Sequence, residues 1–488
     1  MVIQANKRIV LIISLISSFI MAFMGSSINI ALPSIGREFN IDAVLLAWIA
    51  TSFLLTMAIF LVPFGRIADI YGRKKVFAFG MLIYSAAALL CAFSQSETVL
   101  IIGRVIQGIG SAMFSATAIA ILTSVFEVKE RGRVIGITIG ATYLGLSLGP
   151  VLGGLITEHL GWRFLFFLNI PFTLLVLLLT FWKIKGDWME AKGEKFDWSG
   201  SAIYGFVLMA LMAGFTFISG NILLGIGAII ASFVGLGLFI QYESKSPFPI
   251  ININIFRHTP AVPLQRNTAG YTCQYPTKAG LPAYNRVFVF SNLAALINYC
   301  TTAGVGFLLS LYLQYIKGFS PDRAGLVMMA QPIVMTVFAP IAGRLSDRIE
   351  PRIVASTGMI LTAVSLALFT FLGSDSSTLF VVIGQIILGI GFGLFSSPNT
   401  NAIMSSVDKK MYGIASASVS TMRIIGQMLS LAIATLLISI YVGHIKIQPD
   451  SHPAFLSSLR AAFIIFTILC VIGVFASLAR GNMDRSQD

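Results

Sequence analysis

Gly136-Ile-Thr-Ile-Gly140-Ala-Thr-Tyr-Leu-Gly145-Leu-Ser-Leu-Gly149-Pro150-Val-Leu-Gly153-Gly154-Leu155 is the stretch on which the reading of the chain turns. It is apolar enough to cross a bilayer, yet six of its residues are Gly and one is Pro. In water such a helix is poor, since each Gly costs about 1 kcal/mol against Ala and Pro about 3. In lipid the backbone must satisfy its own hydrogen bonds, so the segment stays helical and bends, if anywhere, at Pro150. Small residues recurring at short intervals let neighbouring helices approach closely, whether to pack statically or to slide.

The remainder of the chain agrees with lipid as its solvent. Of 488 residues, 56% are hydrophobic and only 11% charged, and mean hydropathy is +0.87. A soluble domain is nearer 25% charged. Residues 9–32 are too long an apolar run for a cleaved leader and read as a retained first span. Cys91, Cys273, Cys300 and Cys470 are far apart, which predicts no disulfide framework and no zinc site. The four histidines (His159, His258, His444, His452) fall in loops without metal-ligand spacing, so no metal and no membrane-embedded enzyme is expected.

Hydropathy predicts 14 spans, over 9–31, 46–66, 76–95, 98–121, 133–157, 164–182, 200–218, 222–242, 287–315, 324–343, 352–372, 378–403, 412–442 and 457–479. An even count puts both termini on one side. Of the 33 Lys and Arg, 25 fall in the tails and loops on that side, six in the opposite loops, and Arg104 and Arg423 inside spans. The positive-inside rule then predicts cytoplasmic termini, and the net charge of +13 is topogenic and calls for no nucleic acid.

The chain also repeats itself. Ile102-Gly-Arg-Val-Ile-Gln-Gly-Ile-Gly110 in span 4 returns as Ile383-Gly-Gln-Ile-Ile-Leu-Gly-Ile-Gly391 in span 12. Gly65-Arg-Ile-Ala-Asp69 returns as Gly343-Arg-Leu-Ser-Asp347, and Gly136 and Gly149 match Gly413 and Gly426. The offsets are 281, 278, 277 and 277, so spans 1–6 and 9–14 form two equivalent halves with spans 7–8 inserted. Parallel halves of this kind place a binding site at their interface near the midplane.

Gly145-xxx-Gly149-Pro150-xx-Gly153-Gly154 resembles the antiporter motif of the drug–proton antiporters of the major facilitator superfamily. Trp162-Arg-Phe-Leu-Phe-Phe-Leu-Asn169-Ile-Pro171 follows it, as in the subfamily with 14 spans. The resemblance implies an all-α integral membrane protein of the major facilitator fold. Its parts are a six-helix bundle over 1–182, a segment 183–285 holding a cytoplasmic linker, spans 7–8 and a long loop, and a second six-helix bundle over 286–488. It implies a secondary active multidrug exporter working by alternating access with proton antiport, without cofactor. Such a protein is a monomer in the plasma (inner) membrane of a prokaryote, its partners being an amphiphilic small molecule, protons and the bilayer. The absence of a Gly-x-x-x-x-Gly-Lys-Ser/Thr phosphate loop points the same way for the energy source. The alternative is an uncoupled or differently coupled exporter of one metabolite or lipid.

Individual residues carry these expectations. Gly65-Arg-Ile-Ala-Asp69-Ile-Tyr-Gly72-Arg73-Lys74-Lys75 resembles the superfamily's loop between spans 2 and 3. Gly65 and Gly72 are expected to permit tight turns and Asp69 to face a helix N-terminus. The resemblance makes that terminus the start of span 13, near Lys409–Tyr412, as a conformational latch. Arg104 lies about two turns inside span 4 beside Gln107, and a cation at that depth must face the protein interior. The family's corresponding Arg is linked to proton coupling. Arg423 is a second deep cation, open between function and packing. Where many 14-span antiporters have an Asp in span 1, this chain has Met24, and all 20 acids fall in loops or at span ends. Proton coupling is therefore expected to use Glu158 or Asp69, and the substrates to be neutral or anionic amphiphiles. Met21, Met24 and Asn29 of span 1, with Arg423, are the expected lining of the pocket. The Pro-rich stretch 258–285 reads as loop.

Overall fold

Fourteen helices long and apolar enough to cross a membrane lie among the residues described in the computed structural model, which are 4–251, 285–407, 412–443 and 445–481. In chain order they are Lys7–Phe39, Ala43–Tyr71, Arg73–Ala92, Glu97–Val125, Arg133–His159, Arg163–Lys183, Trp198–Phe217, Ile222–Glu243, Arg286–Ile316, Pro321–Ser346, Pro351–Phe369, Thr378–Ser405, Ile414–Tyr441 and Pro449–Ala479, called spans 1–14. The side bearing both chain ends is called the terminal side, the other the far side. The loop expected over 258–285 lies outside the described residues except for Asn285.

Short polar caps set the ends of the helices. The Asp42 carboxylate accepts from the amides of Val44 and Leu45 to start span 2, and Ser96 does the same for span 4. Asp197 starts span 7 by accepting from Gly200 N at 2.8 Å. Asn221, Asn285 and Ser377 cap spans 8, 9 and 12. Each satisfies amide groups that an uncapped first turn would leave without partners. The helix of span 5 begins at Val128, before its membrane portion.

The two halves pack alike. Spans 1 and 5, 3 and 4, 2 and 4, and 3 and 6 pair in the first half; spans 9 and 13, 11 and 12, 10 and 12, and 11 and 14 pair in the second. Repeated glycines make the same contacts. A Cβ on Gly110 would meet the backbone of Gly80 and Tyr84, and one on Gly391 the backbone of Gly358 and Thr362. Close approach through small residues is how helices gain contact where lipid is as apolar as they are. Spans 7 and 8 pair with each other at the periphery, span 7 leaning on spans 2 and 13, while Leu223 and Phe233 of span 8 face outward.

Four details depart from the sequence reading. Span 2 stays helical to Tyr71, so Gly65 lies within a helix and only Gly72, at φ +119°, makes a turn. Span 10 breaks at Met329, because Pro332 offers no N–H to Met328, and span 9 ends in one π turn over Tyr312–Ile316. The linker after span 6 begins as a strand, Ile184–Lys185, paired antiparallel with Gln4–Ala5 at the start of the chain.

Candidate translocation cavity

A cavity of about 330 Å³ lies between the halves, lined by spans 1, 2, 4 and 5 from one and 9, 10, 12 and 13 from the other. Its residues sit near the middle of their spans and reach toward the terminal side at Ser17, Leu61 and Ile119. The walls are mostly apolar (Met21, Phe53, Phe114, Met335, Phe392), with Asn29, Thr142, Gln331 and Gln427 among the polar groups. No Asp or Glu lines it among the described residues; Arg104 and Arg423 do.

Arg104 is 1% exposed and held on three sides. Its Nε donates to the carbonyl of Ile49 at 3.1 Å and its Nη1 to Gln107 Oε1 at 2.6 Å. The guanidinium lies over the Phe53 ring, 4.2 Å from the centroid. These partners are neutral, so the side chain is fixed in direction while its charge stays uncompensated. Gln107, the residue one turn on, thus reaches the cavity only through Arg104. Arg423 is half-buried and makes no hydrogen bond or ion pair with any described residue.

The far side of the cavity is sealed by backbone chemistry. Pro33 cannot donate to the carbonyl of Asn29, and Ser310 Oγ of span 9 takes that acceptor at 2.6 Å. Gln314 Nε2 reaches the carbonyl of Ile30 at 2.9 Å. Nearer the midplane, Tyr143 Oη donates to Ser396 Oγ at 3.0 Å, and the hydroxyls of Ser147 and Thr336 lie 3.2 Å apart.

The glycines quoted at the outset work on two faces of span 5. Toward span 1, a Cβ on Gly145 would overlap the carbonyl of Phe19, and one on Gly149 or Gly153 would strike Ser26 or Ser27. Ser27 Oγ donates to the carbonyl of Gly149 at 2.9 Å. Toward span 10, Gly154 abuts the Pro321 carbonyl and Gly325 abuts the Pro150 carbonyl. One face therefore welds span 5 into its own half; the other touches the opposite half.

On the terminal side the loop between spans 2 and 3 is tied to the linker that follows span 6. The Asp69 carboxylate pairs with Arg73 at 2.7 Å, across the turn between spans 2 and 3, and accepts from no backbone amide among the described residues. The start of span 3 is taken by Asp187 of the linker, which accepts from Lys74 N at 2.8 Å and Lys75 N at 3.3 Å. Arg73 also pairs with Glu190 at 2.8 Å and donates to Ser124 of span 4 at 2.8 Å, while Arg66 pairs with Glu194. Gly72 is required here twice, by its positive φ and because a Cβ would overlap Asp187. The start of span 13 at Lys409 lies outside the described residues. Linker acids at 187, 190 and 194 opposite Arg66 and Arg73 were the available signal, one the motif reading passed over. Asp187→Ala is expected to cost about 1 kcal/mol, as loss of a cap does. It should speed tryptic cutting at Lys192 several-fold in membranes; an unchanged rate would show that the linker is held by its other contacts.

The remaining expected residues divide. Met21 and Asn29 line the cavity. Met24 does not: it is 2% exposed, and its sulfur accepts from Asn169 Nδ2 at 3.2 Å on the span 6 side. Glu158 is exposed at the far end of span 5, outside the lining. A buried cation at the end of a span was not foreseen. Arg480 is 2% exposed just past span 14 and donates to Ser291 Oγ at 3.3 Å and Asn399 Oδ1 at 3.2 Å. Burial pulls its guanidinium down to about 10, so it remains charged at neutral pH.

Two similar halves, inserted spans and a shared central cavity agree with the match of the Major Facilitator Superfamily model to residues 14–241 and 292–486. The chain belongs to the major facilitator superfamily. Similar proteins include the riboflavin transporter RibZ of Clostridioides difficile, 28% identical over 97% of both chains. The multidrug transporter protein MdtP of Bacillus subtilis is 29% identical over 94% of this chain and 81% of its own. Among solved structures, the human organic anion transporter MFSD10 superposes with a TM-score of 0.63 at 13% identity, over 97% of this chain and 100% of that one. That likeness is one of fold. With 14 spans this major facilitator transporter is a multi-pass membrane protein.

Proposed function

We propose that this transporter is a secondary active exporter of amphiphilic small molecules, exchanging them for protons by alternating access. The observation that carries the reading is the central cavity shared by both halves and closed on the far side by the contacts of spans 1 and 5 with spans 9 and 10. A site so placed reaches either face when the halves rock, and the glycine faces of span 5 permit a close-packed seam to open. Several similar proteins bear names of multidrug resistance, multidrug transport or drug efflux, which supports export of varied amphiphiles. The Lys and Arg bias of the loops supports a cytoplasmic terminal side; in this reading the protein works as a monomer in the plasma membrane of a prokaryotic cell. The Asp69–Arg73–Glu190 cluster then serves as the cytoplasmic latch.

A second reading, transport of one metabolite without proton coupling, is favoured by the lack of a carboxylate in the cavity and by the likeness to a riboflavin transporter. Inverted vesicles separate the two. An imposed pH gradient, acid inside, is expected to raise the initial rate of dye uptake at least about fivefold, and a protonophore to abolish the gain. Equal rates with and without the gradient would leave the uncoupled reading.

A further inference from the structure

We infer that the cavity selects amphiphilic organic anions, the acidic head group being received by Arg423 while the anchored charge of Arg104 sets the sign of the site. The inference rests on the export reading and narrows its substrate class.

The argument is one of charge balance. Two guanidinium groups, one from each half, line the same cavity, and no described carboxylate faces it. In a low-dielectric surrounding each unpaired charge strongly favours a counter-charge, and two like charges exclude a cation with equal force. Arg104 is too committed to be the main receptor, since Ile49, Gln107 and Phe53 fix its plane. Yet none of these neutralises it. Arg423 has the opposite character. It is half-buried, lines the cavity, and offers its whole donor fork without an acceptor among the described residues. A planar fork of this kind matches carboxylate, sulfonate and phosphate oxygens bidentately.

The walls define the rest of the ligand. Phe53, Phe114, Phe392, Met21 and Met335 present aromatic faces and adaptable thioethers to whatever carries the head group. A small inorganic anion would leave those walls without a partner, so the ligand has an apolar body. Because Arg423 belongs to the second half and Arg104 to the first, a bound anion lies between charges that move apart or together as the halves rock.

Fluorescein and rhodamine 123 share a xanthene ring but carry opposite charge near pH 7.5, and so isolate the effect of sign. Binding to the full-length protein in lipid nanodiscs, followed by fluorescence anisotropy at low salt, is expected to favour fluorescein by at least about tenfold. Arg423→Gln should weaken fluorescein by about tenfold and leave rhodamine 123 unchanged or tighter, while Arg423→Lys should keep most of the preference. Equal affinities, a preference for rhodamine 123, no fluorescein binding, or an anion preference intact in Arg423→Gln would each overturn the inference. Displacement of fluorescein by an equal concentration of inorganic phosphate would also overturn it, in favour of a small-anion site. No gradient enters these measurements. A protein that pumps rhodamine 123 into vesicles yet shows no anion preference keeps the export reading and loses this one; selective fluorescein binding without dye transport does the reverse.

Discussion

Gly325→Val is expected to shift the protein toward a form open on the far side. A side chain at 325 would overlap the carbonyl of Pro150, and the reciprocal contact sets Gly154 against the carbonyl of Pro321. Both contacts cross between the halves, so the added atoms strain the closed seam without entering the interior of either half. Overpacking of this kind costs about 1–3 kcal/mol, which moves a two-state balance by roughly five- to 150-fold. A membrane-impermeant maleimide applied from the far side reads the shift, using Thr142→Cys in the cavity wall on a background freed of reactive cysteines. Labelling should rise at least about fivefold in Gly325→Val. Two controls separate this from general damage. Gly140→Val should do nothing, since no atom lies within 4 Å of the added Cβ. Gly149→Val should lower the yield of folded protein, because it collides with Ser26 inside its own half. Unchanged labelling in Gly325→Val would mean that the seam of spans 5 and 10 does not control far-side opening.

Why some of this was legible in the amino-acid order and some not comes down to the range of each signal. The number of spans follows from bilayer thickness, which demands about 20 apolar residues wherever the chain crosses. The halves follow from the spacing of residues such as Gly110 and Gly391, whose shared backbone contacts explain why both stay Gly. Arg104 is legible because a deep cation in lipid has few places to go. Direction around a helix is not legible in the same way. Met24 and Met21 are one turn apart, yet Met24 serves the amide of Asn169 while Met21 lines the cavity. In a helix apolar on every face, no periodicity marks the side that meets the ligand. Long-range pairing is harder still: Asp187 is 113 residues from the amide it caps, and the tempting acid, Asp69, has a partner four residues away. A motif ranks residues by their neighbours in sequence, whereas the linker meets the loop only after four more spans of chain.

The repeat supplies the last expectation, because it provides a natural control for Arg104. Its counterpart in span 12 is Gln385, 1% exposed and with its Nε2 lacking any partner among the described residues. The scaffold thus already accommodates a buried Gln at this position of the helix, even imperfectly bonded. Arg104→Gln is therefore expected to insert and fold, judged by a monodisperse elution profile of the detergent-extracted protein. Its initial transport rate in inverted vesicles should nevertheless fall at least about 100-fold, as when a preorganised charge is lost from a dry site. Arg104→Lys keeps the charge but not the fork. One ammonium cannot serve the Ile49 carbonyl and Gln107 at the present directions, nor lie flat on Phe53, so a loss of about tenfold is expected. The order wild type, Lys, Gln would mean that sign and direction both matter. A Gln variant as fast as wild type would mean that the buried cation holds helices together and does nothing else, and the charge asymmetry between the two halves would then have no part in transport.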